Sequence, residues 1–302
     1  MQQESDLLPS ATGMGTVTLK VDSIATMAAY YQAGLGLEVL AESAEGVDLG
    51  RKNAPLIRLQ PAAGLRLPSQ GEAGLFHTAL LFENRADLAA TVLSAAQASA
   101  GTFVGSADHL VSEAFYFADP EGNGIELYFD KPRDTWQWTG SGAQKSVVMD
   151  NVALPARTYL EDYLTEDAVT GQTQAAAGVG HVHLQVGDVP TAEAFYVGIL
   201  GFERTAGWHG QALFVSAGGY HHHMAMNVWN SRGAGPRKDT LGLGEVLIHV
   251  PAPDEVDALA ARLAAAGIDR HSTGAELCFE DPWKNRIRVR AGSPGAGIAQ
   301  PA

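Results

Sequence analysis

The chain repeats one supersecondary unit four times, and this repetition limits its possible folds more than any other feature of its 302 residues. Residues 15–40 return as residues 180–203, and residues 76–100 return as residues 244–268. Each stretch begins with the apolar–polar alternation of a strand and continues with apolar residues at helical spacing. Short β segments broken by turns follow each stretch. The sequence therefore predicts an α+β protein of four β-α-β-β-β modules.

A stretch rich in Gly, Ser, Gln and Ala separates the second module from the third. It predicts a linker at residues 133–176, with a helix near residues 156–167. The predicted N-terminal domain, residues 12–132, contains modules one and two, and the C-terminal domain, residues 177–292, contains modules three and four. The Gly- and Pro-rich tail that follows is predicted to fray.

The charge and cysteine content exclude several classes of protein. Twenty Lys and Arg residues against 34 Asp and Glu residues give a net charge of −14, which disfavours nucleic-acid and anionic membrane partners. The single cysteine, Cys278, excludes an intramolecular disulfide framework and a thiolate-rich metal site, and it suits a reducing compartment. No apolar run approaches the length that crosses a bilayer. We therefore expect a cytoplasmic protein.

Several short motifs carry a family resemblance. The turn DPEGNGIE at residues 119–126, together with the paired modules, resembles the vicinal oxygen chelate superfamily of glyoxalases, antibiotic-resistance proteins and extradiol dioxygenases. Residues 109–114 (HLVSEA), 180–184 (GHVHL) and 216–223 (SAGGYHHH) are similar to its Bacillus-type catechol-2,3-dioxygenase branch. The resemblance covers nearly the whole chain except the linker and tails. It implies two cup-shaped sheets, each built from a pair of modules.

In this superfamily, metal ligands extend inward from the first and last strands of each module. The corresponding first-strand positions here are Thr16, His77, His181 and Glu245, and the last-strand positions are Leu59, Glu126, Asn227 and Arg288. Modules paired in sequence order would give neither cup two histidines and a carboxylate. Pairing module two with module three places His77, His181 and Glu126 in one cup.

That set is the two-histidine, one-carboxylate combination of non-haem Fe(II) oxygenases, and Mn(II) fits it similarly. The other cup would then hold Arg288 facing Glu245, a pair that predicts a salt bridge rather than a metal site. The resemblance therefore implies one metal centre, built across the two halves of the chain.

The run of three histidines supplies candidate acid/base groups. If Asn227 faces the cup, strict alternation also turns His223 and His221 inward and His222 outward. His223 is the preferred acid/base catalyst, with His221 as a second candidate. The alternative is that both only fill space and bond to backbone groups.

Four further residues are predicted at the same cup. Tyr128, two positions beyond the glutamate ligand, is predicted to face inward and to hydrogen-bond a substrate oxygen. His183 and Asn227 are weaker candidates for the substrate pocket, and a packing role for His183 fits equally well. His109 is another weak candidate, with a turn or lid role as its alternative.

These residues and the resemblance imply an extradiol dioxygenase that uses Fe(II) and O₂ to cleave the ring of a catechol-type substrate. A glyoxalase-like isomerase, lyase or thiol transferase would use the same cup but generally adds a second carboxylate, where Asn227 stands. A metal-free protein that sequesters small molecules is the non-enzymatic alternative. The expected partners are a small aromatic diol and O₂, without nucleic acid or membrane, and the family also suggests a homo-oligomer.

Overall fold

The computed structural model of the chain describes residues 7–98, 102–171 and 174–292. Two large β-sheets dominate this part of the chain. Most of the tail that was predicted to fray lies outside the described residues. Among the described helices, none combines the length and the apolar composition needed to cross a membrane.

All four modules have the predicted order of one strand, one helix and three strands. Module one contains β1 (Gly13–Val21), α1 (Ile24–Leu35), β2 (Glu38–Ser43), β3 (Gly46–Arg51) and β4 (Ala54–Pro61). Module two contains β5 (Gly74–Phe82), α2 (Arg85–Ala98), β6 (Phe103–Asp108), β7 (Ser112–Ala118) and β8 (Gly124–Asp130). After the linker, module three contains β12 (Ala177–Gln185), α5 (Val189–Tyr196), β13 (Glu203–Trp208), β14 (Ala212–Ser216) and β15 (Met224–Asn227). Module four contains β16 (Gly242–Val250), α6 (Pro253–Ala265), β17 (Arg270–Ser272), β18 (Glu276–Glu280) and β19 (Arg286–Ala291).

The linker is more structured than its composition indicates. It contains β9 (Trp138–Thr139), β10 (Ser146–Val147), β11 (Val152–Ala153), α3 (Ala156–Tyr163) and α4 (Glu166–Val169). The predicted helix is therefore two helices, and the second begins after Thr165, whose side chain accepts a hydrogen bond from the backbone N–H of Ala168. Strands β9 and β10 form a separate hairpin, whereas β11 joins β6 at a sheet edge.

Each large sheet takes one module from each half of the chain. The order β17-β18-β19-β16-β1-β4-β3-β2 joins modules four and one, and the order β11-β6-β7-β8-β5-β12-β15-β14-β13 joins modules two and three. The modules meet through two antiparallel strand pairs, β1 with β16 and β5 with β12. This arrangement confirms the cross-pairing that the ligand positions indicated. The division into domains at residues 133 and 176 remains a proposal.

Alternation along the first strands gives each sheet one face buried in the hydrophobic core and one face that lines a cavity. In β1, Val17, Leu19 and Val21 are fully buried in the hydrophobic core. We call the sheet of modules four and one the outer sheet and that of modules two and three the inner sheet, and the cup that each forms the outer and the inner cup. The intervening Thr18 and Lys20 line a cavity of the outer sheet. Because side chains alternate between the two faces of a strand, one strand contributes to both the core and the cavity.

A buried turn joins module two to the helix of module one. The Oδ1 atom of Asp119 accepts from the backbone N–H groups of Glu121 and Asn123, at 2.9 and 2.8 Å. Its Oδ2 atom accepts from Asn123 Nδ2 at 2.8 Å and from the hydroxyl of Tyr31 at 3.0 Å. Since Tyr31 lies on α1, this carboxylate connects two modules that share no sheet.

The same arrangement of a buried aspartate turn and a tyrosine hydroxyl recurs in the second half of the chain. Asp281 accepts from the backbone N–H groups of Trp283 and Asn285 and from Asn285 Nδ2, each at 2.8 Å. The hydroxyl of Tyr196, on α5, donates to Asp281 Oδ2 at 2.9 Å. Modules three and four are therefore joined in the same way as modules one and two.

Candidate metal centre

Three adjacent strands bring the proposed ligands together. Glu126 on β8 and His181 on β12 both stand opposite Ala79 on β5, and His77 lies two residues earlier on the same face of β5. The small side chain of Ala79 leaves space between its two larger neighbours. As a result, one ligand atom from each of His77, Glu126 and His181 lies within 4.8 Å of the other two.

The donor atoms converge on one carboxylate oxygen. Oε2 of Glu126 lies 2.9 Å from Nε2 of His77 and 3.1 Å from Nε2 of His181. All three side chains are buried. Although Nε2 of His77 is close to the carboxylate, it makes no aligned hydrogen bond, which is unusual for a buried polar atom. Two imidazoles and a carboxylate arranged in this way fit a divalent transition-metal ion.

Burial sets the protonation of these ligands. It lowers the pKa of His181 to about 4, so this imidazole is neutral at pH 7. Burial alone would raise the pKa of Glu126, but the adjacent His181 and His77 lower it well below its usual value. Neutral imidazole and ionised carboxylate are the forms that bind a cation.

A cavity of about 800 Å³ opens beside the ligands. Its size falls within the usual range for small-molecule sites. Besides His77 and Glu126, the polar side chains on its wall include His109, Tyr116, His183 and His222. The candidate metal centre therefore faces a space that can hold a substrate.

His183 and His109, two of the weaker sequence candidates, lie on the cavity wall. The third, Asn227, lies behind the wall and hydrogen-bonds to His183. His183 lines the cavity, and its Nε2 accepts from Nδ2 of the fully buried Asn227 at 3.0 Å. His109 also lines the cavity, where Nδ1 donates to the carbonyl of Asp150 at 3.1 Å. Its Nε2 then accepts from the hydroxyl of Tyr116 at 2.6 Å. These partners assign the ring tautomers.

Sequence reasoning missed Tyr116. This residue stands opposite Glu126 across the β7–β8 pair and lines the cavity. Burial and the charge of Glu126 raise the pKa of Tyr116 well above its usual value, so the hydroxyl keeps its proton. The family resemblance points to ligands on the first and last strands of each module, whereas β7 is the third strand of its module. Alternation through this strand could have identified it.

The predicted orientation of the histidine run was wrong. Strand β15 begins at Met224, so residues 221–223 are outside the strand and do not follow its period of two. His222, predicted to face outward, lines the cavity with its ring centroid 4.1 Å from that of His181. His223, predicted to face inward, is not on the cavity wall, and its Nδ1 accepts from the backbone N–H of Ala217 at 3.2 Å.

His221 connects the cavity histidine to a carboxylate and does not line the cavity itself. Its Nε2 donates to Oδ1 of Asp130 at 2.9 Å. Its Nδ1 lies 2.8 Å from Nδ1 of His222. In the tautomer of His221 that carries its proton on Nε2 alone, the other nitrogen accepts from Nδ1 of His222. This chain leaves Nε2 of His222 as the nitrogen without a proton.

Tyr128 lies behind the ligands. Its ring centroid is 4.9 Å from that of His181, and its hydroxyl donates to the hydroxyl of Tyr220 at 2.7 Å. Tyr220 donates in turn to Oδ2 of Asp130 at 2.8 Å. Tyr128 is fully buried and absent from the cavity wall. This position gives no support to the predicted hydrogen bond with a substrate oxygen.

The strand register also corrects the position proposed for a second carboxylate. Glu126 stands opposite Ala79, the residue two places beyond the first-strand ligand of its own module. In module three, the residue two places beyond His181 is His183, and it stands opposite Ala225. The equivalent position is therefore Ala225 and not Asn227. An alanine cannot supply a fourth ligand.

In the outer cup, one predicted last-strand position is wrong and the predicted ion pair is present. Thr18 pairs with Arg58, so Arg58 takes the last-strand position assigned to Leu59, which is buried in the core. The predicted ion pair is present, because Arg288 Nε donates to Glu245 Oε1 at 2.7 Å. Among the described residues, the inner cup alone brings three possible ligands together.

This fold and this site define a class of protein: paired β-α-β-β-β modules with a candidate two-histidine, one-glutamate metal centre. The family model for the Glyoxalase/Bleomycin resistance protein/Dioxygenase superfamily matches residues 13–127 and 178–289. The chain belongs to this superfamily.

Individual relatives agree with this family assignment. The chain is 34% identical to the catechol-2,3-dioxygenase of Bacillus subtilis (strain 168) over 276 residues, which are 90% of this chain and 94% of the relative. A solved putative dioxygenase from the same organism has a TM-score of 0.61 at 14% identity, over 95% of this chain and 87% of the other. Glyoxalase I from Zea mays has a TM-score of 0.56 at 13% identity, over 93% and 92%. These two structures support the fold alone.

Proposed function

We propose that the protein is an extradiol ring-cleaving dioxygenase that acts on catechol-type substrates with O₂, with Fe(II) as its metal and Mn(II) as the alternative. The observation that carries the proposal is the convergence of His77, Glu126 and His181 beside one cavity. The similarity to a catechol-2,3-dioxygenase at 34% identity supports the same reaction. Alanine at position 225 argues against the four-ligand site of a glyoxalase-like enzyme.

His77, Glu126 and His181 would hold Fe(II), and a set of three protein ligands leaves this metal able to take substrate and O₂ as well. Fe(II) bound in this way supplies a template on which the catechol oxygens and O₂ come together. Phe76 and Trp229 line the cavity next to the ligands, with ring centroids 5.4 Å apart. We assign them the role of holding the aromatic ring of the substrate.

His222 is the acid/base catalyst in this proposal, replacing the sequence choice of His223. Its ring packs against that of the ligand His181 and lines the cavity, and in the tautomer set by Asp130 and His221 its Nε2 is the nitrogen that can accept a proton. Burial lowers the pKa of His222 well below its usual value, so the ring is neutral at pH 7 before it accepts that proton. Proton removal from a catechol hydroxyl requires a base of this kind. His221 is then a positioning residue that fixes the His222 tautomer.

Tyr116 and His109 form the opposite polar wall. Because Tyr116 stays protonated and donates its proton to His109, the hydroxyl oxygen of Tyr116 can accept a hydrogen bond from a substrate hydroxyl. A small aromatic diol and O₂ are thus the expected partners. A cytoplasmic location, supported by the single cysteine, and a homo-oligomeric state remain part of the proposal.

The test is anaerobic purification with metal analysis, followed by oxygen uptake with a panel of catechols. We expect about one iron per chain, consumption of O₂ and a coloured muconic semialdehyde product. Glu126→Ala should lose both the iron and the oxygen uptake. A cation retained without oxygen uptake would instead favour an isomerase, and a wild-type protein that binds no cation would favour a sequestering protein.

A further inference from the structure

The cavity beside the metal centre has an unusual charge distribution for a site that would take a polar ring. Among the described residues that line it, none is a lysine or an arginine. Its charged lining residues are Glu126, which is a proposed ligand, and Asp150 at the exposed rim. A negatively charged substituent on the substrate would therefore find no cation on this wall.

One part of the cavity wall is apolar. Val111, Val147, Met149 and Phe214 line it, and all of them belong to or pack against one buried hydrophobic cluster. Trp208 adds a further ring to the same wall. A substituent that projects from the catechol ring therefore meets hydrocarbon and aromatic side chains.

Two of these wall residues come from the linker, which identifies a function for that segment. Val147 is the last residue of β10, and it pairs with Trp138 of β9. Met149 follows two residues later, and both residues join the cluster around Trp136. The hairpin is thus anchored by buried packing and forms one side of the cavity.

Positively charged side chains are concentrated in the outer cup instead. Several arginines and lysines line its cavity, among them Arg58, Arg237, Arg286 and Lys284. Their concentration there contrasts with the inner cavity and with the overall net charge of −14. The inner cavity therefore differs in charge from its counterpart in the same fold.

We infer that the enzyme selects catechols whose ring substituent is uncharged and apolar, and discriminates against catechols that carry a carboxylate. The inference rests on the proposed dioxygenase activity. Burying a carboxylate against the Val147 and Met149 wall would remove its hydration without supplying a cationic partner, and Asp150 would repel it. An apolar substituent would gain from the same wall because it leaves water.

The sharpest comparison uses two substrates of nearly equal size: methyl 3,4-dihydroxyphenylacetate and its free acid. In both, one methylene separates the ring from the group that changes, so the catechol itself is nearly the same. With the iron-loaded full chain, kcat/KM from oxygen uptake should be at least about 100-fold higher for the ester. Anaerobic titration of the loaded protein, followed by tryptophan fluorescence, should show tighter binding of the ester as well.

A second test of the inferred selectivity introduces a positive charge at an exposed residue that lines the cavity. Val104 lines the cavity and its residue surface is 72% exposed, so Val104→Arg should fold normally. This variant should raise kcat/KM for the acid about 10-fold relative to the ester, since an added cation partners the carboxylate. Val104→Met is the neutral control and should keep the wild-type ratio. Met149→Arg tests the apolar wall in the same way.

The outcomes separate the two proposals. Equal kcat/KM and equal affinity for ester and acid in the wild-type protein would overturn the inferred selectivity while leaving the dioxygenase intact. Turnover of unsubstituted catechol alone would overturn it too, because the apolar wall would then not accept a substituent. Failure to oxidise any catechol, unsubstituted catechol included, would refute the proposed function.

Discussion

Replacing Tyr196 by Phe removes one hydroxyl from a buried position and keeps the ring that packs around it. That hydroxyl donates at 2.9 Å to Oδ2 of Asp281, which connects module three to module four. Both residues are buried. A hydrogen bond to a charged group contributes about 1.5–3 kcal/mol, and we expect a loss of that size in the free energy of unfolding at pH 8.

The loss should depend on pH with a defined sign. Burial is the largest effect on Asp281 and raises its pKa in the folded protein, although the hydrogen bonds from Asn285 and Tyr196 oppose the shift. A raised folded pKa means that this group's contribution to stability is complete below about pH 4, the unfolded value, and is lost as pH rises through the folded value. Tyr196→Phe removes a donor that lowers this pKa, so its destabilising effect should grow as pH increases.

Urea unfolding of the wild-type and Tyr196→Phe proteins at pH 5 and pH 8 measures both quantities. Tyr31→Phe is the matched variant, because Tyr31 makes the equivalent bond to Asp119 at 3.0 Å. Tyr163→Phe at a partly exposed tyrosine should change stability by less than about 0.5 kcal/mol. An unchanged free energy for Tyr196→Phe, or a loss that is larger at pH 5 than at pH 8, would refute this reasoning.

Four further predictions concern cation binding and catalysis. Glu126→Gln should weaken binding of one divalent cation by at least about 100-fold in calorimetric titration, with folding unchanged by circular dichroism. His222→Asn should keep the cation but reduce kcat about 10²–10⁴-fold, and an unchanged kcat would move the acid/base role elsewhere. Ala79→Leu should fill the space between Glu126 and His181 and abolish cation binding, whereas Ala79→Gly should preserve it. Arg288→Leu should leave the stoichiometry at one cation per chain, since the described residues offer one ligand group.

The sequence was sufficient to predict the modules, their cross-pairing and the convergence of three candidate ligands. Repetition identifies the β-α-β-β-β units, and the positions of His77, Glu126 and His181 make sense only if modules two and three share a sheet. The most informative sequence patterns were therefore those that combine several positions, such as the repeat and the set of three ligands.

The wrong orientation of the histidine run and the wrong last-strand positions have two physical causes. Alternation was extended from Asn227 back to His221, but β15 begins at Met224, and a residue beyond a strand end follows no period. Register was the second cause, because the sequence alone does not show which residue of β4 stands opposite Thr18 or which residue of β15 stands opposite His183. Register decides which residue stands opposite which, and this is why Arg58 and Ala225 were missed.

The two kinds of contact between modules explain how a site can be built across the chain. Sheets join module one to four and two to three, whereas the tyrosine–aspartate bonds join one to two and three to four. Each module is thus held by two different neighbours, and the four form a closed set of contacts. Because His77 and His181 come from opposite halves of the chain, the geometry of the metal centre depends on the strand pair β5–β12. The buried Tyr31 and Tyr196 bonds hold each half together and so limit how far these two strands can shift relative to each other.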